Sequence, residues 1–190
     1  MTAATKSATT TPAPAPDSTE HAVARVEGVR SRTVSWTDPA RVRFRLRGLD
    51  GYEQLAAMKR DDNSAPPAVA LLGLSLDELE RGRTVFSVVA DERHENPMGT
   101  MHGGIVATLV DTAMGCAVSS TLPADAGFTT LELSTNFVRA ITQSTGRVHA
   151  EGRVVHGGGR VITTEARVYD DAGTLYAHAK STCLIQRRTR

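Results

Sequence analysis

The stretch from Asn96 to Ala124 constrains the fold more than any other, because its 29 residues contain one charge, Asp111. A loop holding Pro97 and Gly99 precedes its central part and Pro123 ends it, which predicts a helix from His102 to about Thr121. Helices on a protein surface carry several charges on their outer face. Here Ile105, Val106, Leu109, Val110, Ala113, Met114, Ala117 and Val118 form an apolar stripe, and the opposite side offers Ala107, Thr108, Asp111 and Gly115. Such a helix is predicted to be buried all round, with Asp111 in a mostly dry place. A carboxylate there costs on the order of several kcal/mol unless it is paired, hydrogen-bonded or protonated. Two readings stay open for Asp111. It is a structural acid bonded by Thr108 or nearby backbone, or a general base or nucleophile whose reactivity comes from its surroundings.

The material that could surround this helix is β-rich. Thr84–Ala90 precedes it as a strand, and Thr129–Arg139, Arg147–Val155, Val161–Tyr169 and Thr174–Ile185 follow. The separators at 143–146, 156–159 and 170–173 have turn chemistry. The predicted order is one strand, one long helix, then four antiparallel strands in a meander: an α+β fold. One helix covers a single face, so the sheet should curl around it and leave a back or edge to pair with another copy.

The N-terminal part is less regular. Residues 1 to about 20, rich in Ala, Thr and Pro, are predicted to form a mobile tail. Residues 21–80 read as an extension with a lid role open to it, and 81–188 as the main domain. Within the extension, short helices are predicted at Gly51–Arg60 and from Pro66 and Pro67 through Leu72. The extension lacks the length for its own core. Val42, Phe44 and Leu46 alternate with Arg41, Arg43, Arg45 and Arg47, a strand pattern that suits either an anion-binding surface or a charge-protected edge.

Charge and composition exclude several functions. Twenty-two Lys and Arg oppose 21 Asp and Glu, too balanced for a dedicated nucleic-acid binder. No apolar run approaches the roughly 20 residues of a membrane helix. The opening MTAATKSATTTPAPAP lacks the apolar stretch of a secretory signal, so a cytoplasmic location is expected. Cys116 and Cys183 are too few for a disulfide framework or a zinc site, and the six histidines show no metal-ligand spacing. No metal and no cofactor are expected.

The loop Asn96–Gly104 (NPMGTMHGG) opens directly into the helix. Gly103 and Gly104 in its first turn expose backbone amides at the positive end of the helix dipole, which suits a developing oxyanion. A second HisGlyGly, at 156–158, opens no helix and reads as a hairpin turn. His149 and His178 fall in strand patterns and read as structural. Gly103 and Asp111 are eight residues apart, about 12 Å along a helix at 1.5 Å per residue. Groups acting on one carbonyl must lie within about 3–3.5 Å of it. If both residues act on one carbonyl, Asp111 must come from another subunit, and a dimer with two symmetric sites meets that demand.

This constellation resembles the hotdog-fold acyl-CoA thioesterases of the phenylacetate-pathway (PaaI-like) branch. The matching features are Asn96, Gly99, the HisGlyGly at 102–104, Asp111 nine positions after the His, and LELSTNFVR at 131–139, which is similar to the family's second strand. The likeness spans roughly residues 73–186. It implies an antiparallel sheet of about five to six strands wrapped around one long central helix. It also implies hydrolysis of an acyl-CoA thioester to free acid and CoA by a homodimer or homotetramer.

Carried over by position, Gly103 N–H polarises the thioester carbonyl and His102 shapes the loop. Asn96 positions the water or the carbonyl, Asp111 is nucleophile or general base, and Thr130 holds the attacking water. Gly104 and Met114 are assigned to the substrate side, with Val118, Phe128 and Leu131 setting pocket depth, and Arg139 and Arg160 are candidates for the CoA phosphates. An acyl carrier protein is an alternative acyl donor. Competing readings are a hotdog dehydratase, whose usual motifs are absent around residue 102, and a non-catalytic protein that binds acyl-CoA or acyl carrier protein.

Overall fold

The computed structural model describes residues 28–61 and 64–187. The expected N-terminal tail, and part of the predicted helix breaker at 61–64, lie outside the described residues. Contacts divide the chain after Thr33. Residues 28–33 carry no helix or strand, and the unit that holds the described helices and strands begins at Val34.

Three short helices come first: α1 (Pro39–Arg45), α2 (Gly51–Arg60) and α3 (Pro67–Leu72). After them come β1 (Ser75–Glu80), β2 (Arg83–Val89), the long helix α4 (Gly103–Ser119), β3 (Ala126–Phe137), β4 (Arg147–Gly157), β5 (Val161–Asp170) and β6 (Leu175–Arg187). The predicted α2, α3 and α4 are present, and all the predicted strand runs after α4 form strands. The stretch 41–47 is not a strand, as its alternation implied, but falls mostly within α1. Asp38 caps that helix, its carboxylate accepting from Ala40 N at 2.8 Å, and Pro39 stands in the first turn. The helix turns Val42 and Leu46 to one side, with Leu46 5% exposed, and leaves Phe44 74% exposed.

The six strands form one antiparallel sheet in the order β1-β2-β4-β5-β6-β3. Two expectations change here. A strand, β1, precedes the predicted first one and falls within the segment read as an extension. The four strands after the helix are not a simple meander, because β3 skips β4 and pairs with β6 at the far edge. The linker that makes this crossing is stitched down by backbone bonds: Val138 N donates to Tyr176 O at 2.8 Å, Met101 N to Ile141 O at 2.8 Å, and Ala90 N to Gly146 O at 2.8 Å.

Helix α4 touches β2, β3, β4, β5 and β6. Five neighbouring strands span about 19 Å at roughly 4.8 Å per step, about twice a helix diameter. One helix reaches all of them only if the sheet curves around it. The face of α4 turned to the sheet, including Leu109, Val110, Ala113 and Met114, is fully buried against Phe86, Val88, Val148, Ala150, Val168 and Ala177.

The fit is closest at Gly152 of β4. A Cβ there would sit 2.5 Å from the Ala113 carbonyl carbon, and next to this contact Thr84 Oγ1 donates to Ala113 O at 2.7 Å. Backbone cannot yield as a side-chain tip can. Gly152→Ala is therefore expected to cost about 3 kcal/mol, measured as a lower urea midpoint at unchanged m-value.

The helix is not buried all round. Gly104 is exposed, and Gly103, Ala107, Thr108, Asp111 and Thr112 are half-buried, forming a stripe that the sheet leaves open. Edge strand β3 exposes Leu131 (59%) and, at its end, Phe137 (56%).

Candidate active site

The loop before α4 is held by Asn96. Its Oδ1 accepts from Met98 N at 2.9 Å and Thr100 N at 3.3 Å, and its Nδ2 donates to Thr100 Oγ1 at 2.9 Å. Gly99, at φ 74°, makes the turn that a Cβ would strain. His102 N donates to His94 O at 2.7 Å, fixing the residue that caps the helix.

The cap is the imidazole of His102, whose Nδ1 accepts from Gly104 N at 2.9 Å. Ile105 and Val106 donate to His102 O at 2.8 and 3.4 Å. Among the described residues, Gly103 N–H is the first-turn amide with no acceptor. This corrects the expectation for Gly104, whose amide is already engaged. It also gives His102 a definite task, because the acceptor role requires an unprotonated Nδ1. His102→Ala should lose about 1 kcal/mol of stability, as cap removals do, whereas His102→Asn, which can still cap, should hold its melting temperature close to wild type.

Gly103 opens onto a cleft of about 320 Å³ lined by residues that include Asn96, Phe137, Arg139, Ile141 and Tyr176. Asn96 and Arg139, both expected at the site, therefore line the same cleft as Gly103. Phe137 was not assigned a role from sequence. Its ring lies so close that a Cβ on Gly103 would be 3.3 Å from Phe137 Cζ. Tyr176, also unassigned, donates its hydroxyl to Asp170 at 3.0 Å.

Asp111 is not part of this cleft. It sits two turns along α4, where Thr130 Oγ1 on β3 donates to Asp111 Oδ1 at 3.1 Å. Asp111 and Thr130, each expected at the site, are thus in contact with one another, and Thr108, the structural alternative as partner of Asp111, instead donates to Gly104 O at 2.9 Å. No ion pair to Asp111 occurs among the described residues. Burial, reinforced by the nearby Asp111 carboxylate, pushes the Cys116 thiol up to about 12. Burial also raises Cys183. Both thiols stay protonated at neutral pH.

Two further assignments change. Met114 is fully buried in the core beneath α4, as is Val118, because both lie on the face turned to the sheet. Neither reaches an open cavity. Arg160 lies in the β4–β5 turn, where its carbonyl accepts from Ile185 N at 2.9 Å. That is the end of the sheet beside the C-terminus of α4, so within one chain Arg160 is remote from Gly103. Among the described residues no cluster of His, Cys, Asp and Glu is arranged to hold a metal ion, and no helix is long and apolar enough to cross a membrane.

This architecture has known counterparts. Residues 98–177 match the family model described as the thioesterase superfamily. The chain is 31% identical over 105 residues to the proofreading thioesterase EntH of Klebsiella pneumoniae, covering 55% of this chain and 75% of that protein. It is 21% identical over 119 residues to the 1,4-dihydroxy-2-naphthoyl-CoA hydrolase of Listeria monocytogenes, covering 63% and 95%. The solved structure of the Escherichia coli PaaI protein superposes with a TM-score of 0.64 at 17% identity, over 75% of this chain and 98% of that one, a likeness of fold. A six-stranded sheet around one helix, entered through a histidine-capped glycine turn, is the hotdog arrangement, and with these likenesses the chain belongs to the thioesterase superfamily.

Proposed function

We propose that the protein hydrolyses an acyl-CoA thioester to the free acid and CoA, at two equivalent sites between two copies of the chain. The observation that carries this reading is the division of the site: the free Gly103 amide opens on one cleft, and the Asp111–Thr130 pair lies about 12 Å further along the same helix. Neither half is complete alone. Two copies packed with their uncovered α4 stripes antiparallel bring Gly103 of each against Asp111 of the other, and the open β3 edge provides a surface for that pairing.

In the assembled site the thioester oxygen points at Gly103 N–H, which takes the charge that grows as the carbonyl carbon becomes tetrahedral. Thr130 occupies one oxygen of Asp111, and the other accepts a proton from a water. The water oxygen bonds to the carbonyl carbon, the carbon–sulfur bond breaks, and the proton leaves with the thiolate as CoA thiol. A homotetramer would be built from two such dimers. The relatives support the reaction class, since one is named a thioesterase and another a CoA-ester hydrolase.

The test is thiol release from a panel of aliphatic and aromatic acyl-CoAs, and from the same acyl groups on a carrier protein. Release from at least one CoA ester is expected. No release from any thioester would overturn the reading in favour of a binding protein.

A further inference from the structure

A second cavity, of about 580 Å³, lies between α1, α2 and the turn at 64–67. Its size falls in the range of small-molecule sites. Leu46 and Met58 are among its apolar lining residues, Arg43 and Arg47 are its charged ones, and no Asp or Glu is among its described lining residues. Neither arginine has a carboxylate partner among the described residues, whereas Arg45, Arg81 and Arg83 each have at least one. Beside them Phe44 is 74% exposed, with the Arg47 guanidinium 5.7 Å from its ring centroid.

Two arginines without a carboxylate partner among the described residues, an exposed aromatic ring and a concave apolar wall suit a phosphorylated nucleotide. The guanidinium fork binds phosphate oxygens in pairs, and a base can stack on the ring. The location narrows the choice. Ala124 borders the cavity, and α2 is tied to the chain just past α4 by Gly51 N donating to Leu122 O at 3.0 Å. From Asp111 to Ser120 alone is nine residues, about 13 Å, so a ligand reacting at Asp111 could reach the cavity only through a long arm. A CoA thioester has such an arm, with pantetheine separating the reacting carbonyl from the phosphorylated adenosine.

We infer that this cavity seats the 3′-phosphoadenosine end of the CoA thioester, with Arg43 and Arg47 on its phosphates and Phe44 against its base. The inference rests on the proposed thioesterase reaction, and its first test is independent of turnover.

Calorimetric titration of the wild-type protein with 3′-phosphoadenosine 5′-phosphate at millimolar concentration should show saturable binding. Trp36, the chain's single tryptophan and the neighbour of the lining residue Thr37, should report it by a change in fluorescence. Binding should weaken about tenfold for AMP, which lacks the second phosphate, and vanish in the double variant Arg43→Ala/Arg47→Ala. The same variant should raise the KM for an acyl-CoA about tenfold or more, with kcat within about twofold. Its KM for the same acyl group on N-acetylcysteamine, which has no nucleotide, should not change. Circular dichroism confirms that the variant is folded, and Arg43→Gln/Arg47→Gln provides a second version of the test.

No saturable binding to the wild type, or binding that survives in the double variant, overturns the assignment. Equal affinity for AMP with an unchanged acyl-CoA KM marks a general nucleotide site and also overturns it. Nucleotide binding that needs both arginines, in a protein that releases thiol from no thioester, would sink the hydrolase reading and leave the nucleotide site standing.

Discussion

Asp111→Asn is expected to lower kcat on an acyl-CoA by about 10³-fold, within the range lost with a general base, while KM changes little. The substitution isolates one property. Asparagine has nearly the same shape, and its side-chain oxygen can still accept from Thr130 Oγ1, which now holds Asp111 Oδ1 at 3.1 Å. The half-buried position tolerates a neutral amide, so the fold should survive and only the proton-accepting oxygen is removed. A second readout checks the local electrostatics. Because the Asp111 carboxylate helps to raise the Cys116 thiol, its loss should bring that thiol down from about 12, though only in part, since burial is the larger cause. Thiolate absorbance against pH measures the change. A folded Asp111→Asn protein with undiminished turnover would remove Asp111 from the mechanism. Single-turnover hydrolysis in oxygen-18 water separates its two possible roles: label in the product alone fits a general base, and label in the Asp111 carboxylate fits an anhydride.

The parts of this site legible in sequence are those governed by local rules. The start of α4 could be placed because histidine and two glycines follow a proline-containing loop, and its course because apolar residues recur at helical spacing. The separation of Gly103 from Asp111 then came from helical rise alone. Two errors show where local rules compete. The alternation of arginines with Val42, Phe44 and Leu46 points to a strand, whereas the structure starts a helix there, with Asp38 as its cap and Pro39 in its first turn. Over so few residues, a period of two and a helical spacing of four share positions 42 and 46, and only the exposure of Phe44 separates them. Met114 shares the apolar stripe of Val110 and Ala117, and that stripe makes it a core residue and not a substrate contact.

Other features depend on tertiary partners that no local pattern encodes. The turn-forming run at 143–146 reads the same whether β3 pairs with β4 or crosses to β6, so the strand order was not legible. Phe137 acquires its place over Gly103 only because β3 runs back along α4, setting Phe128 near Gly115, Thr130 at Asp111 and Phe137 at Gly103. That Arg43 and Arg47 have no carboxylate partner among the described residues is not legible in sequence, since it depends on where the carboxylates fold.

Gly103→Pro should lower kcat by about 10²- to 10³-fold, the usual loss when one oxyanion donor is removed, with little effect on stability. Proline removes the amide hydrogen and is favoured at the first position of a helix, which Gly103 occupies. The preceding residue, His102, already has ψ 131°, in the range that a following proline requires. The added Cβ presses only on the exposed Phe137 ring, and Gly103→Ala, which adds the same carbon but keeps the amide, controls for that contact. Rates for Pro far below those for Ala would assign the effect to the hydrogen bond, and equal rates would remove the amide from the mechanism.

The same variant tests the shared site. When Gly103→Pro and Asp111→Asn chains are refolded together in equal amounts, about half of the dimers are mixed. Each mixed dimer combines one doubly damaged site with one in which intact Gly103 meets intact Asp111. Activity should rise from near zero to about a quarter of wild type. If each chain carried its own complete site, every site in the mixture would have one defect and no activity would return.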